Sequence, residues 1–282
     1  MLLIRSARRM TQVSQRLVRQ GKCLGVVPTM GALHDGHGSL IRSAASENDV
    51  VIVTVFVNPL QFGPREDFHR YPRNLARDVR LARAAGADIV FAPSVRELYP
   101  PGFQTRVSLG PLAEVWEGRS RPGHFHGVAT VVTILLELTR PAAAYFGQKD
   151  YQQTLVIRQV VRDLHLPVRL RVLPTVREQG GLALSSRNQS LTPVQRRRAS
   201  VLYRALCVAR RRLRAGARRS APLVREMKRR IRSVSGVRLD YVAIVDATTL
   251  TPQARVRGRV AILVAAWVGR TRLIDNLLVG VP

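Results

Sequence analysis

Residues 50–57 form a continuous, largely β-branched run of eight, Val-Val-Ile-Val-Thr-Val-Phe-Val. A strand that faces water on one side alternates apolar with polar residues. This one does not, so it suits a strand buried on both faces, and that requires helices on both sides of a sheet. The surrounding sequence has the same grammar. Residues 26–30 read as a buried strand and 39–46 as a helix. Residues 75–85 have helical spacing, stopped by Gly86, and 88–92 are a short strand. Then follow a helix over 128–139, a strand over 143–146, a helix over 154–164 and a strand over 169–173. Alternating strands and helices predict an α/β fold with a parallel sheet. The pattern changes after 185–188. Two basic amphipathic helices, 193–214 and 221–234, precede three strands at 239–246, 260–268 and 271–278. This predicts a smaller α+β domain at the C-terminal end, with domains 1–175 and 176–282.

Composition narrows the function classes. The chain has 282 residues, 46% of them hydrophobic, which is enough for a sizeable core. No apolar run approaches the roughly 18 residues a membrane span needs. Cys23 and Cys207 are too few and too far apart for a metal site or disulfide framework, and read as reduced thiols of a cytoplasmic protein. Residues 1–22 are Arg-rich without acids, as in a transit segment, but the whole chain is acid-poor. They read instead as an ordinary helix over 2–20 beside a first strand that starts at Cys23. The formal charge is +28, almost all from arginine, since Lys22, Lys149 and Lys228 are the only lysines. Such a surface attracts phosphates and polyanions nonspecifically. Residues 196–232 hold fifteen basic residues and one acid, Glu226, yet carry no nucleic-acid-binding motif and no series of stacking aromatics.

Five blocks carry chemistry, and most of them follow a predicted strand, where open parallel sheets bind ligands. The first is Met30-Gly31-Ala32-Leu33-His34-Asp35-Gly36-His37, running into a helix. A helix N-terminus offers free N–H groups to a phosphate, and two imidazoles there suit an α-phosphate gaining charge. The second, 56–63, contains Asn58 and Gln61, neutral readers of a hydroxylated substrate, and is followed by Asp67 and Phe68. The third, 121–128, contains His124 and His126. The fourth is Gly147-Gln148-Lys149-Asp150, ending at Gln152-Gln153; a lone lysine among arginines is a compact charge able to follow a moving phosphate. The fifth joins Val176 to Leu184-Ser185-Ser186-Arg187, where hydroxyls and a guanidinium suit pyrophosphate.

The His-x-Gly-His pattern of the first block resembles that of the nucleotidylyltransferase superfamily. All five blocks, in order, resemble the pantothenate synthetase family; beyond residue 190 the likeness is weaker. The family's usual Glu is Gln148 here, and a common Met is Leu184. The resemblance implies a Rossmann-like N-terminal domain binding ATP and pantoate, and a small C-terminal domain closing over the site. It implies ATP binding by Met30 through His37, by Gly147, Gln148, Lys149 and Asp150, by the backbone of Val176, and by Leu184, Ser185, Ser186 and Arg187. His34, His37, Lys149 and Arg187 would neutralise phosphate charge. Asn58, Gln61, His124 and Gln153 would bind substrate.

The reaction implied joins pantoate to β-alanine through pantoyl adenylate. ATP enters with Mg²⁺ as co-substrate and no prosthetic group is tightly bound. No residue is assigned as a metal ligand, although Asp78 is the one acid that aligns with a possible position. A homodimer is implied, paired near residues 50–57. An adenylyltransferase for a phosphorylated acceptor is the nearest alternative, and Asn58, Gln61 and Gln153 speak against it.

Overall fold

In the computed structural model, residues 1–281 are described except Arg65 and Asp67. Two compact units are present: Met1–Gly147 with Gln152–Pro174, and Gln148–Tyr151 with the chain from Thr175 on.

The first unit runs β1 (Leu2–Ile4), α1 (Ala7–Arg19), β2 (Leu24–Thr29), α2 (Asp35–Glu47), β3 (Val50–Val55), α3 (Leu75–Ala84) and β4 (Ile89–Phe91). It continues with the short α4 (Val95–Leu98) and α5 (Glu117–Ser120), then α6 (His124–Thr139), β5 (Ala143–Gly147), α7 (Tyr151–Asp163) and β6 (Arg169–Leu173). The strands form one sheet in the order β1-β4-β3-β2-β5-β6, every pairing parallel. Side chains alternate between the faces. Val26, Ile52, Phe91 and Phe146 pack with Met10 of α1 and Val128, Val132 and Leu135 of α6. Val27, Val51, Val53 and Tyr145 pack on the other side with Leu40, Ile41 and Ala44 of α2 and Ala82 of α3. Both faces of β3 are therefore dry, as its unbroken apolar run predicts.

That burial limits one expectation. Strand β3 has β2 on one edge and β4 on the other, and Val51, Ile52 and Val53 are at most 1% exposed. Residues 50–55 offer neither edge nor face for pairing with a second copy, which leaves the flanks of the 50–57 run for the expected pairing. The N-terminus corrects another. Residues 2–20 are not one helix. Leu2–Ile4 form an edge strand on β4, and Ser6 caps α1 by accepting the Arg9 N–H. Three residues are too short to show a strand period.

In the second unit, α8 (Pro193–Ala199), α9 (Val201–Arg214) and α10 (Ser220–Arg232) precede β7 (Val237–Asp246), β8 (Gly258–Val268) and β9 (Thr271–Val281). The strands form an antiparallel sheet, β7-β8-β9. The helix expected over 193–214 is divided at Ser200. The apolar stripe Leu213, Leu223, Met227 and Ile231 is buried, while Arg211, Arg212, Arg214, Arg229 and Arg232 are exposed. The basic run is thus the outer face of packed helices. Among the described residues no helix is long and apolar enough to cross a membrane.

Candidate active site

Strand β2 is central, with β3 on one side and β5 on the other, so the connections leaving β2 and β5 diverge at the carboxyl end of the sheet. The loop leaving β2 is held by Thr29 and Asp78. Thr29 Oγ1 donates to Thr54 O at 2.6 Å and accepts the Gly31 N–H at 3.0 Å. The Asp78 carboxylate, 1% exposed in α3, accepts the N–H groups of Ala32 at 3.0 Å and Leu33 at 2.8 Å. Gly31 and Ala32 both have positive φ, 81° and 50°. A Cβ at Gly31 would lie 2.9 Å from Asp78 Oδ2, so glycine is required by conformation and by space. Asp78 uses both oxygens on this loop.

The loop delivers His34 and His37 to the start of α2. His34 is the N-cap, and its Nδ1 accepts the Gly36 N–H at 3.1 Å. His37 Nδ1 accepts the His34 N–H at 3.3 Å. The ring centroids are 4.1 Å apart. A nitrogen that accepts from a backbone N–H carries no proton itself, so this network assigns both neutral rings the tautomer with hydrogen on Nε2. Each imidazole is thereby a donor at Nε2.

Beyond β3, Asn58 caps the 3-10 turn Pro59–Gln61. Asn58 is 1% exposed and fully engaged. Its Nδ2 donates to Gln61 Oε1 at 3.1 Å and Gly127 O at 3.0 Å, and its Oδ1 accepts from Leu60 N and the Tyr99 hydroxyl. Burial raises the Tyr99 pKa, so the phenol stays a donor. Gln61 Nε2 meets Met30 Sδ at 3.2 Å, joining this turn to the loop after β2. The structure thus brings Met30, Asn58 and Gln61 together, with Asn58 as the inner link.

His124 lies beneath the same turn. Its Nδ1 is 2.8 Å from Gln61 O and its Nε2 is 3.0 Å from Arg121 Nη1. A carbonyl can only accept and a guanidinium can only donate, so His124 is neutral with its proton on Nδ1. Burial, and then the Arg121 charge, push its pKa down to about 4. Arg121 is held in turn by a two-pronged ion pair to Glu66. His126 bonds Leu109 N and Glu114 instead. Asp67 lies outside the described residues. Gln152 is buried and bonds Glu117 N, Leu112 O and Val115 O, while Gln153, one residue on, is partly buried.

The remaining candidates, apart from Gly147, belong to the second unit. Gly147 ends β5, and Gln148–Asp150 make a 3-10 turn in which Lys149 Nζ is 3.3 Å from Asp150 Oδ1. Leu184 N donates to Val176 O at 2.9 Å, closing a narrow loop. Ser185 Oγ accepts the Arg187 N–H at 3.3 Å and so caps the 3-10 segment Ser186–Ser190. Asn188 Nδ2 ties that segment to Ala183 O and Glu178. Among the described residues no cluster of three or more His, Cys, Asp or Glu could hold a metal ion.

Sequence comparison matches the pantoate-beta-alanine ligase family over residues 2–278. The chain belongs to the pantoate-beta-alanine ligase family. A pantothenate synthetase of Moorella thermoacetica is 55% identical over 263 residues, 93% of each chain. One from Caldicellulosiruptor saccharolyticus is 47% identical over the full length of both. A pantothenate synthetase crystal structure from Thermus thermophilus matches with a TM-score of 0.93 at 49% identity, covering 98% of this chain and 99% of that one. The Francisella tularensis ligase, solved with a β,γ-ATP ligand and β-alanine, matches at 0.81 and 37% identity, covering 99% and 97%. The Rossmann-like sheet with its small antiparallel C-terminal sheet is the fold of these pantothenate synthetases.

Some residues that hold the candidate site residues in place have no local sequence signal. Tyr99 and Glu66 lie outside every candidate block, and their value is a contact made across 41 and 55 positions. Asp78 was visible only as a possible metal ligand. Asn276, which grips the Lys149 turn, had no signal beyond its place in a C-terminal strand.

Proposed function

We propose that this chain condenses pantoate with β-alanine, using ATP, and releases pantothenate, AMP and pyrophosphate. In the first step a pantoate carboxylate oxygen attacks the α-phosphorus of Mg-ATP. The bond from that phosphorus to the bridging β-oxygen breaks, and pyrophosphate leaves with its electron pair. In the second step the β-alanine amine attacks the acyl carbon, loses its proton, and AMP leaves.

The observation that carries this reading is the pair of histidines capping α2, set by a loop that Asp78 holds. Two neutral imidazoles with Nε2–H groups, at a helix N-terminus beyond the central strand, are donors matched to a phosphate that gains charge in the transition state. Lys149, Ser186 and Arg187 supply further donors and positive charge to the triphosphate, and Val176 and Leu184 take the adenine side. Gln61 and Gln153 read the hydroxyls and carboxylate of pantoate, Asn58 holds Gln61 in place, and His124 fixes the Gln61 carbonyl from below. Mg²⁺ arrives with the nucleotide, carried by phosphate oxygens. The ligase acts as a homodimer, which light scattering after size exclusion tests. Its net charge also gives it salt-dependent nonspecific affinity for polyanions.

The test is isotope exchange. Protein, Mg-ATP, labelled pyrophosphate and pantoate, without β-alanine, should place label in ATP, and omitting pantoate should abolish this. β-Alanine should then drain the intermediate to pantothenate and AMP. Pantoate-independent exchange indicates another adenylyltransferase, and none from a folded protein overturns the reading.

A further inference from the structure

We infer that Asn276 is a positioning residue for Lys149, acting from β9 through the backbone of the turn that carries the lysine. The inference rests on the proposed role of Lys149 at the triphosphate. Asn276 is 2% exposed. Its Nδ2 donates to two consecutive carbonyls, Gln148 O and Lys149 O, each at 2.9 Å. Its Oδ1 accepts from Gln148 Nε2 at 3.3 Å. One amide nitrogen gripping successive carbonyls fixes the orientation of both peptide planes that flank the Lys149 Cα. The direction in which the side chain leaves the backbone follows from those planes. The contacts also settle which end of the amide is which, because two carbonyls can face only the nitrogen.

Asn276 is itself anchored. Its N–H donates to Asp275 Oδ1 at 2.7 Å, and its carbonyl lies 3.4 Å from Arg177 Nη2. Arg177 forms a fork on Asp275, at 2.6 and 2.9 Å, and stacks 4.0 Å over the Tyr203 ring of α9. Asp275 is 5% exposed, and burial raises its pKa against the pull of Arg177. A buried pair of this kind is a costly way to gain stability, since desolvation offsets most of the attraction. It is a rigid way to fix an atom. Here it fixes the strand residue whose amide holds the Lys149 turn.

The experiment exploits the scarcity of lysine. Lys22, Lys149 and Lys228 are the only lysines, so acylation by acetyl N-hydroxysuccinimide ester, followed by peptide mass analysis, reads Lys149 against two internal standards. Lys149 is 19% exposed and Lys22 is 50% exposed. In Asn276→Ala the Lys149 modification rate, relative to the other two, should rise by about threefold or more as the turn loosens. Pantoate-dependent pyrophosphate exchange should fall about 10- to 100-fold in kcat with little change in KM for pantoate, the scale of misplacing a transition-state group. Asn276→Ala should cost nothing further in a Lys149→Ala background, because both changes remove one effect. A wild-type labelling ratio, or additive losses in the double variant, overturns the inference. Where Asn276→Ala does not fold, Asn276→Gln keeps the amide but shifts it by a methylene and is read the same way. Altered labelling with no exchange even in the unsubstituted protein upholds the positioning and removes the synthetase reading.

Discussion

Asp78 holds Leu33 in place across 45 positions of sequence, its Oδ1 taking the Leu33 N–H at 2.8 Å. With Oδ2 on Ala32, the carboxylate shapes the backbone immediately before His34. In Asp78→Asn one amide end is a donor facing a backbone donor, leaving a buried N–H unpaired at about 1–3 kcal/mol. Exchange activity should drop about 10- to 100-fold as the histidines shift. Excess Mg²⁺ should not restore it. Rescue by Mg²⁺ in a titration would instead make Asp78 a metal ligand, against the loop-holding role.

His37→Ala should lower pantoate-dependent exchange by about 10²- to 10³-fold, the scale of losing one transition-state donor. His37 also accepts the His34 N–H, so a stability loss of about 1 kcal/mol is expected beside it. Single-turnover adenylation and urea melts of the same preparation separate the two effects. A variant keeping most of its adenylation rate removes His37 from the chemistry.

Gly127 sets how closely α6 approaches the Gln61 turn. A Cβ there would sit 2.2 Å from Leu60 O and 2.6 Å from Gln61 N, both backbone atoms. Gly127→Ala should therefore push the turn outward at about 1–3 kcal/mol of overpacking. KM for pantoate should rise more than KM for ATP, because Gln61 moves while the loop before α2 does not. Equal rises in steady-state assays argue that the turn does not read pantoate.

The sheet and the loops at its carboxyl end were legible because each rests on local pattern. The unbroken run at 50–57 announces a strand covered on both faces, and glycines with histidines after a strand announce a tight loop feeding a helix N-terminus. The edge strand Leu2–Ile4 was not legible, since three residues have no period and its pairing with β4 is 87 positions away at Leu2 and Ile89. The same holds for Asn276, which meets Lys149 across 127 positions. Asn58 shows the subtler loss. Its residue type suggested a substrate contact, but only the structure shows both ends of its amide engaged within the protein.

His124 gives the ligase a defined acid sensitivity. Its folded pKa of about 4 lies below the ordinary histidine value of 6.5, because burial and the Arg121 charge outweigh the Gln61 carbonyl and the carboxylates of Glu66 and Glu117. Between these two values the unfolded chain binds the proton and the folded chain does not. Stability therefore rises with pH across that window, is full above about 6.5, and is lost as pH falls toward 4. The shift corresponds to about 3 kcal/mol over the window. His124→Asn keeps a donor near the Nδ1 position for Gln61 O but cannot titrate. It should be less stable than the unsubstituted protein at pH 7, where Arg121 loses its acceptor, and the gap should shrink toward pH 4.5. Urea denaturation of both proteins at pH 4.5, 5.5 and 7 measures it, the difference cancelling the other carboxylates. A gap that stays constant across that range means His124 does not titrate as its surroundings require.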